Sequence, residues 1–311
     1  MNDQERLTAV EGCKFVDEVV PDVPYVMNAE YLDYVIKTYN IDYVVHGDDP
    51  CIVDGKDVYA AAKDSGKFQN IPRTEGVSTT DIVGRMLLMT KDHHKETLGD
   101  GHLASKDETG MIGSTSKFLT TSRMIRHFSS GVKNPEEHMR VGYIDGAWDM
   151  FHAGHISILS RARDMCDYLI VGIHSDAVVN THLGTNLPIM NLHERVLSVL
   201  GCKFVDDVLI DSPYVISAGM IASLKIQHIF RGAQGQQNDA KEIDVRYRAA
   251  IEAGIFQEIS SPSSFNLGDI VDRISQNHSF FAGKVKKKQE KEDEYYDNKY
   301  SKTDHYKKRD A

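Results

Sequence analysis

Between Arg140 and Gln276, short β-branched runs alternate with longer stretches whose apolar residues recur every third or fourth position. Such a pattern describes parallel strands covered by helices, an α/β architecture. It predicts strands near 140–145, 168–173, 204–210, 226–231 and 256–259, with helices near 153–166, 191–201, 215–224, 240–253 and 266–276. In the first 90 residues the same reading predicts strands only near 15–20, 41–46 and 68–71.

The two regions are copies of one unit. Glu5-Arg6 and Gly12-Cys13-Lys14-Phe15-Val16-Asp17 recur as Glu194-Arg195 and Gly201-Cys202-Lys203-Phe204-Val205-Asp206, a constant offset of 189 (194 − 5). With small shifts, Gly66 and Phe68-Gln69 match Gly254 and Phe256-Gln257, and Asp81-Ile82-Val83 match Asp269-Ile270-Val271. A repeat of this length is one fold written twice. The expected organisation is a partial first domain over 1–90, a linker over 91–138, a second domain over 139–282 and a charge-dense, disordered tail over 283–311. The linker carries a more apolar insert around Phe118-Leu119 and Met124-Ile125. Projected back by 189 positions, the first two strands of the second copy fall before Met1, and Met1 aligns with Met190. The expectation is an N-terminally truncated form whose translation begins at an internal methionine. Its first copy would be loosely held unless the second copy, or another chain, supports it.

Composition narrows the function classes. A formal charge of −10 on 311 residues offers no general attraction to nucleic acid or anionic lipid. No apolar run reaches the roughly 20 residues needed to cross a bilayer, and the polar start Met1-Asn2-Asp3-Gln4-Glu5 lacks the core of a signal peptide. The expected location is cytoplasmic. Cys13, Cys51, Cys166 and Cys202 form no CxxC pair, so they read as reduced, mostly buried thiols, and no metal-ligand set is expected.

Three segments carry candidate chemistry. His152-Ala153-Gly154-His155 follows the strand-like run that ends at Ile144-Asp145, where strand, turn and helix start place backbone N–H groups and a positive dipole end beside two imidazoles. That arrangement suits a nucleoside triphosphate, although a histidine pair near a helix start also occurs as a plain surface feature. Arg73-Thr74-Glu75-Gly76-Val77-Ser78-Thr79-Thr80-Asp81 combines a guanidinium, several hydroxyls and a glycine at a helix start, a second phosphate grip. An N-cap would explain Ser78 or Thr79 but requires neither Arg73 nor Gly76. His46-Gly47-Asp48-Asp49, matched by Arg231-Gly232, ends another strand and reads either as part of a ligand crevice or as a solvated turn.

Taken together, Tyr43–Asp49, Arg73–Asp81, Gly146–His155 and Pro188–Arg195 resemble the cytidylyltransferases, and in particular the tandem branch that acts on phosphoethanolamine. The resemblance covers about residues 1–280. It implies two tandem nucleotidyltransferase (Rossmann-like) doubly wound parallel-sheet domains of strand order 3-2-1-4-5, the first of them incomplete. The implied reaction is attack by a phosphate oxygen of phosphoethanolamine on the α-phosphorus of CTP, releasing pyrophosphate and giving CDP-ethanolamine for phospholipid synthesis, with Mg²⁺ beside the phosphates. By resemblance, His152 and His155 are the catalytic donors. Arg73, Thr74, Gly76, Ser78 and Thr79, with His46, Gly47 and Asp48, bind CTP in the first half. Ile144, Asp145, Ala153, Gly154, Arg231, Gly232 and Ser264-Phe265-Asn266-Leu267-Gly268 bind it in the second. The partners implied are CTP and phosphoethanolamine, and either a dimer or association with a full-length homologue.

The chain departs from the family pattern in two places. Ser261-Pro262-Ser263-Ser264-Phe265-Asn266-Leu267-Gly268 stands where a second arginine-led segment is expected, and Leu183-Gly184 replaces a Lys-Gly that contacts phosphate. Loss of one charge-assisted hydrogen bond costs on the order of 1.5–3 kcal/mol, which weakens nucleotide binding by the second half. The alternative function is a catalytically inactive nucleotide-binding or regulatory subunit derived from the enzyme. A nicotinamide-dependent oxidoreductase fits the sheet pattern but lacks a GxGxxG after a strand.

Overall fold

The computed structural model describes residues 1–48, 51–53, 55–72, 79–88, 124–126, 128–129, 134–184, 186–233, 240–284, 286–287 and 290. In chain order its elements are α1 (Asp3–Glu11), α2 (Ala29–Tyr39), β1 (Val44–Gly47), β2 (Ile52–Val53), β3 (Lys56–Asp57), α3 (Ala60–Asp64), β4 (Phe68–Ile71), α4 (Thr79–Leu88), β5 (Val141–Gly146), α5 (Ala153–Arg163), β6 (Tyr168–Ile173), α6 (Asp176–Leu183), α7 (Leu192–Leu200), β7 (Asp207–Ile210), α8 (Ala218–Ser223), β8 (His228–Gly232), α9 (Ala240–Glu252), β9 (Phe256–Ile259) and α10 (Leu267–Gln276). Two compact units result, one of Met1–Asp17 with Ser78–Ala311 and one of Glu18–Val77.

The larger unit is built on a five-stranded parallel sheet of order β7-β6-β5-β8-β9. This is the expected 3-2-1-4-5 order. All six residues of β6 are buried, as are the first four of β5, because helices cover both faces of these two strands. Side chains alternate between faces: Ile144, Val171 and Phe230 join Leu159 and Val196 of α5 and α7, whereas Tyr143, Ile170 and Ile229 join Ile216 and Tyr247. Gly142 is required between them, since a Cβ there would lie 2.7 Å from Cys166 Sγ and 2.8 Å from Phe230. The short helix α6 was not expected, and its β-branched Val178, Val179 and Thr181 give little helical signal.

Helices from the first copy pack on this unit in matched pairs. The backbone N–H of Lys14 donates to Gly201 O at 2.8 Å, and that of Lys203 donates to Gly12 O at 2.8 Å, so the two Gly-Cys-Lys segments exchange equivalent hydrogen bonds. Cys13 and Cys202 form the antiparallel bridge between them. Asn2 and Asn191 each begin a helix with a capping box completed by Glu5 and Glu194 respectively. Each of those glutamates also accepts a two-pronged arginine from the other copy: Arg273 of α10 reaches Glu5 at 2.7 and 2.9 Å, and Arg85 of α4 reaches Glu194 at 2.7 and 2.8 Å. The approach is close enough that a Cβ on Gly12 would lie 2.7 Å from Ile156. Within the 91–138 stretch, Met124–Arg126 and Phe128-Ser129 are helical; Ile125 and Phe128 pack on the core, and Lys14 Nζ donates to Phe128 O. Phe118-Leu119 lies outside the described residues.

The smaller unit holds the parallel pair β1-β4, registered Val44↔Phe68 to Gly47↔Ile71, and the two-residue ladder β2-β3. Leu32, Val35, Val58 and Ala62 are buried, while Tyr25, Val45, Ile52 and Ile71 are exposed. No strand forms over 15–20, contrary to expectation. Its counterpart β7 is held by β6, and no counterpart of β6 occurs among the described residues of the first copy. No helix of the described residues is long and apolar enough to cross a membrane.

If the exchanged arginines hold the copies together, Arg85→Met lowers stability by about 1 kcal/mol, and Glu194→Gln added to it costs less than the sum of the single changes. Denaturant titration of the single and double variants measures this; strict additivity would show that the pair contributes nothing.

Candidate active site

A cavity of about 830 Å³ opens beyond the carboxyl ends of β5 and β8, where the strand order reverses direction. Open α/β sheets bind their ligands there. The turn leaving β5 is strained: Trp148 and Met150 adopt left-handed backbone angles, φ 53° and 50°. Three buried groups hold it. The Trp148 indole N–H donates to Gly172 O at 2.8 Å. The Asp149 carboxylate accepts from the N–H groups of Ile189, Met190 and Met150 at 2.6, 2.9 and 3.0 Å. Burial raises the Asp149 carboxyl from its usual range despite these bonds. Arg195, fully buried, donates to Ala147 O, Met190 O and Asp176 at 2.6, 3.1 and 2.6 Å. The guanidinium thus ties the turn to the starts of α6 and α7.

The turn delivers His152 as the N-cap of α5, with its Nδ1 accepting from the Gly154 N–H at 3.1 Å. A neutral imidazole that accepts at Nδ1 carries its proton on Nε2. His155 lies one turn on, its ring stacked on His152 at 3.8 Å and 20°. Burial pushes His152 down to about 4; burial and then the neighbouring His152 push His155 well below the usual imidazole range. Both are therefore neutral donors or acceptors at neutral pH. Across the turn, Phe265 sets its ring edge-on to His152 at 5.2 Å, and its carbonyl oxygen would lie 2.0 Å from a Cβ on Gly154. Glycine is needed here because the 264–268 segment closes directly over it.

Ile144, Asp145, His152, Gly154, His155, Arg231, Gly232 and the residues from Ser264 to Gly268 all line this one cavity. Ala153 is the buried first residue of α5. Arg231 is paired with Glu258, so its charge is partly spent. Asp145 does not face the cavity as an open carboxylate, since Arg246 and the Tyr247 hydroxyl both bond its Oδ1 at 2.8 Å. His46 and Gly47 end β1 in the smaller unit, where His46 stacks near Tyr59 at 4.7 Å, and Asp48 follows them. Arg73, Thr74, Gly76 and Ser78 lie outside the described residues, and Thr79 is described only as the first residue of α4. Sequence reasoning missed His174, Tyr214, Arg246 and Tyr247, which join the cavity wall from the loops after β6 and β7 and from α9.

An imidazole whose folded value lies below its unfolded value of about 6.5 takes up a proton more readily when the chain unfolds. Its contribution to stability is complete above about pH 6.5 and falls as the pH drops toward 4. For His152 the loss amounts to on the order of 3 kcal/mol at the acid end. In denaturant titrations between pH 4 and 7, His152→Gln should flatten this part of the profile; an unchanged slope would show that the imidazole is not held neutral.

Comparison with known proteins supplies an independent line. The family described as Cytidylyltransferase-like matches residues 1–85 and 143–260. Among curated relatives, the ethanolamine-phosphate cytidylyltransferase of Arabidopsis thaliana is 44% identical over 310 residues, covering 95% of this chain and 73% of the relative. That of Dictyostelium discoideum is 42% identical, covering 94% and 82%, and that of Mus musculus is 38% identical, covering 93% and 77%. With a parallel sheet of matching order, a histidine turn at its switch point and this span of likeness, the chain belongs to the cytidylyltransferase-like family, among the ethanolamine-phosphate cytidylyltransferases.

Proposed function

We propose that the protein transfers the cytidylyl group of CTP to phosphoethanolamine. A phosphate oxygen of phosphoethanolamine forms a bond to the α-phosphorus of CTP as the bond to the bridging oxygen breaks, and pyrophosphate departs with that electron pair. No protein nucleophile is required, because positioning and charge stabilisation supply the rate. The observation that carries this reading is the HxGH turn: two neutral stacked imidazoles at the N-terminus of α5, opening on the switch-point cavity. His152, with its proton on Nε2, would donate to an oxygen of the triphosphate, and His155 would stand behind it, while Gly154 lets the backbone come close. Arg231-Gly232 and Ser264–Gly268 would line the nucleotide in this half. In the first half, Arg73, Thr74, Gly76, Ser78 and Thr79, with His46, Gly47 and Asp48, would grip CTP.

Mg²⁺ suits such a site as an ion carried on the triphosphate. Among the described residues no group of three or more His, Cys, Asp or Glu is placed to hold a metal ion, and magnesium commonly takes substrate phosphates and water as ligands. When bound, it would neutralise charge on the phosphates. A cytoplasmic location, and a dimer or a complex with a full-length homologue, belong to the same proposal.

A second reading, a nucleotide-binding or regulatory subunit without turnover, is favoured by two features. The closing segment over Gly154 contains no cation, and Leu183-Gly184 offers no lysine to the phosphates.

Incubation of the purified chain with labelled CTP, phosphoethanolamine and Mg²⁺ separates the two readings. Transferase activity that falls roughly 100-fold or more in His152→Ala, and is similarly lost in Gly154→Ala, supports the first. CTP binding without product supports the second, and neither binding nor product would overturn both.

A further inference from the structure

At the far wall of the cavity, four residues surround one cation. Asp145, its side chain 0% exposed, accepts from Arg246 at 2.8 Å and from the Tyr247 hydroxyl at 2.8 Å. The guanidinium carbon lies 4.4 Å from the centre of the Tyr214 ring and 5.0 Å from that of Tyr247. His174 completes the enclosure, its Nε2 at 2.8 Å from an Arg246 amino group. Since a guanidinium can only donate, His174 accepts through Nε2 and carries its proton on Nδ1, which faces the carbonyl oxygen of Ser212 at 3.1 Å. It is a neutral wall, so its 3.7 Å approach to Asp145 is not an ion pair. Glu242 holds Tyr214 in place through its hydroxyl, and His182 stacks on the outer face of that ring at 3.6 Å.

A buried carboxylate, two aromatic faces and a nitrogen acceptor are the groups that recognise an organic ammonium or guanidinium ion. Here the cation comes from the chain itself. We propose that the second repeat contains a cation cage that Arg246 fills from within, so that this crevice takes a nucleotide but is closed to the ammonium end of an amino-alcohol phosphate. The inference rests on the functional reading above for the class of ligand excluded. It would leave recognition of the substrate amine to residues outside this cavity. Arginine cannot shed its charge in a protein, so the cage cannot be vacated by a change of pH near neutrality. Two buried atoms mark the limits of the fit: Asp145 Oδ2 and Arg246 Nε have no hydrogen-bond partner, as expected where one cation stands in a cage that could take another shape.

The test uses the full chain and two probes, ethanolammonium and methylguanidinium chloride, in calorimetric titration and thermal melts at constant ionic strength. The wild-type protein should bind neither, and Arg246→Lys, which keeps a charge in the cage, should behave in the same way. Arg246→Ala should melt lower and be stabilised saturably by at least one probe, with binding about tenfold or more above wild type, and adding Asp145→Asn should abolish that binding. Arg246→Gln, a smaller disturbance, gives the same reading if the alanine variant does not fold. Probe binding by wild type that disappears in Asp145→Asn would overturn the proposal, as would a folded Arg246→Ala or Arg246→Gln that takes neither cation. Because the readout needs neither CTP nor turnover, failure of the transferase reading leaves the result interpretable.

Discussion

The architecture depends on a reciprocal contact between the two copies of the repeat. One Gly-Cys-Lys segment from each copy donates a backbone hydrogen bond to the other, and each copy lends an arginine to the other's capping glutamate. Such a contact orders two helix starts at once, since Glu5 and Glu194 serve their own N-caps and the foreign guanidinium together. The Arg273 guanidinium holds Glu5 below the usual carboxylate range, which keeps it an acceptor for both. This is why Met1–Asp17 and the helix from Thr79 group with the second repeat's sheet, although they belong to the first repeat in sequence.

Around the cavity, the buried charges of the turn and the far wall are engaged by backbone groups or by one another. Asp149 and Arg195 are spent on carbonyls and N–H groups of the turn, and Asp145 is spent on Arg246. What faces the helix start is then two uncharged imidazoles, a glycine and the positive end of α5. Removing one member of a buried charged pair strands the other at a cost of several kcal/mol, so the Asp145–Arg246 pair holds the far wall's shape more firmly than its net contribution to stability would suggest.

The sheet was legible in the sequence because β6 is a continuous apolar run, β5 opens on one and β8 centres on Ile229-Phe230, and HAGH fell where a strand meets a helix. Strand 15–20 does not form because a strand is a property of a pair: Val19-Val20 stand where Val208-Leu209 of β7 stand in the second copy but, among the described residues, find no neighbour to match β6. Helix α6 was hidden by its valines and threonine. The cage around Arg246 could not be read at all, because Asp145, His174, Tyr214 and Arg246 come from four separate segments and a charged residue on a helix looks like solvent surface until its partners are known. In the sequence Arg195 is only one member of a repeated Glu-Arg pair, and its complete burial follows from acceptors at Ala147, Asp176 and Met190 that the fold brings together.

The crossed arginines carry a consequence for inheritance. Since Arg85 meets Glu194 while Arg273 meets Glu5, a change at any of these four positions is felt by a partner encoded in the opposite half. Each duplicated segment therefore carries half of the other's helix-start chemistry.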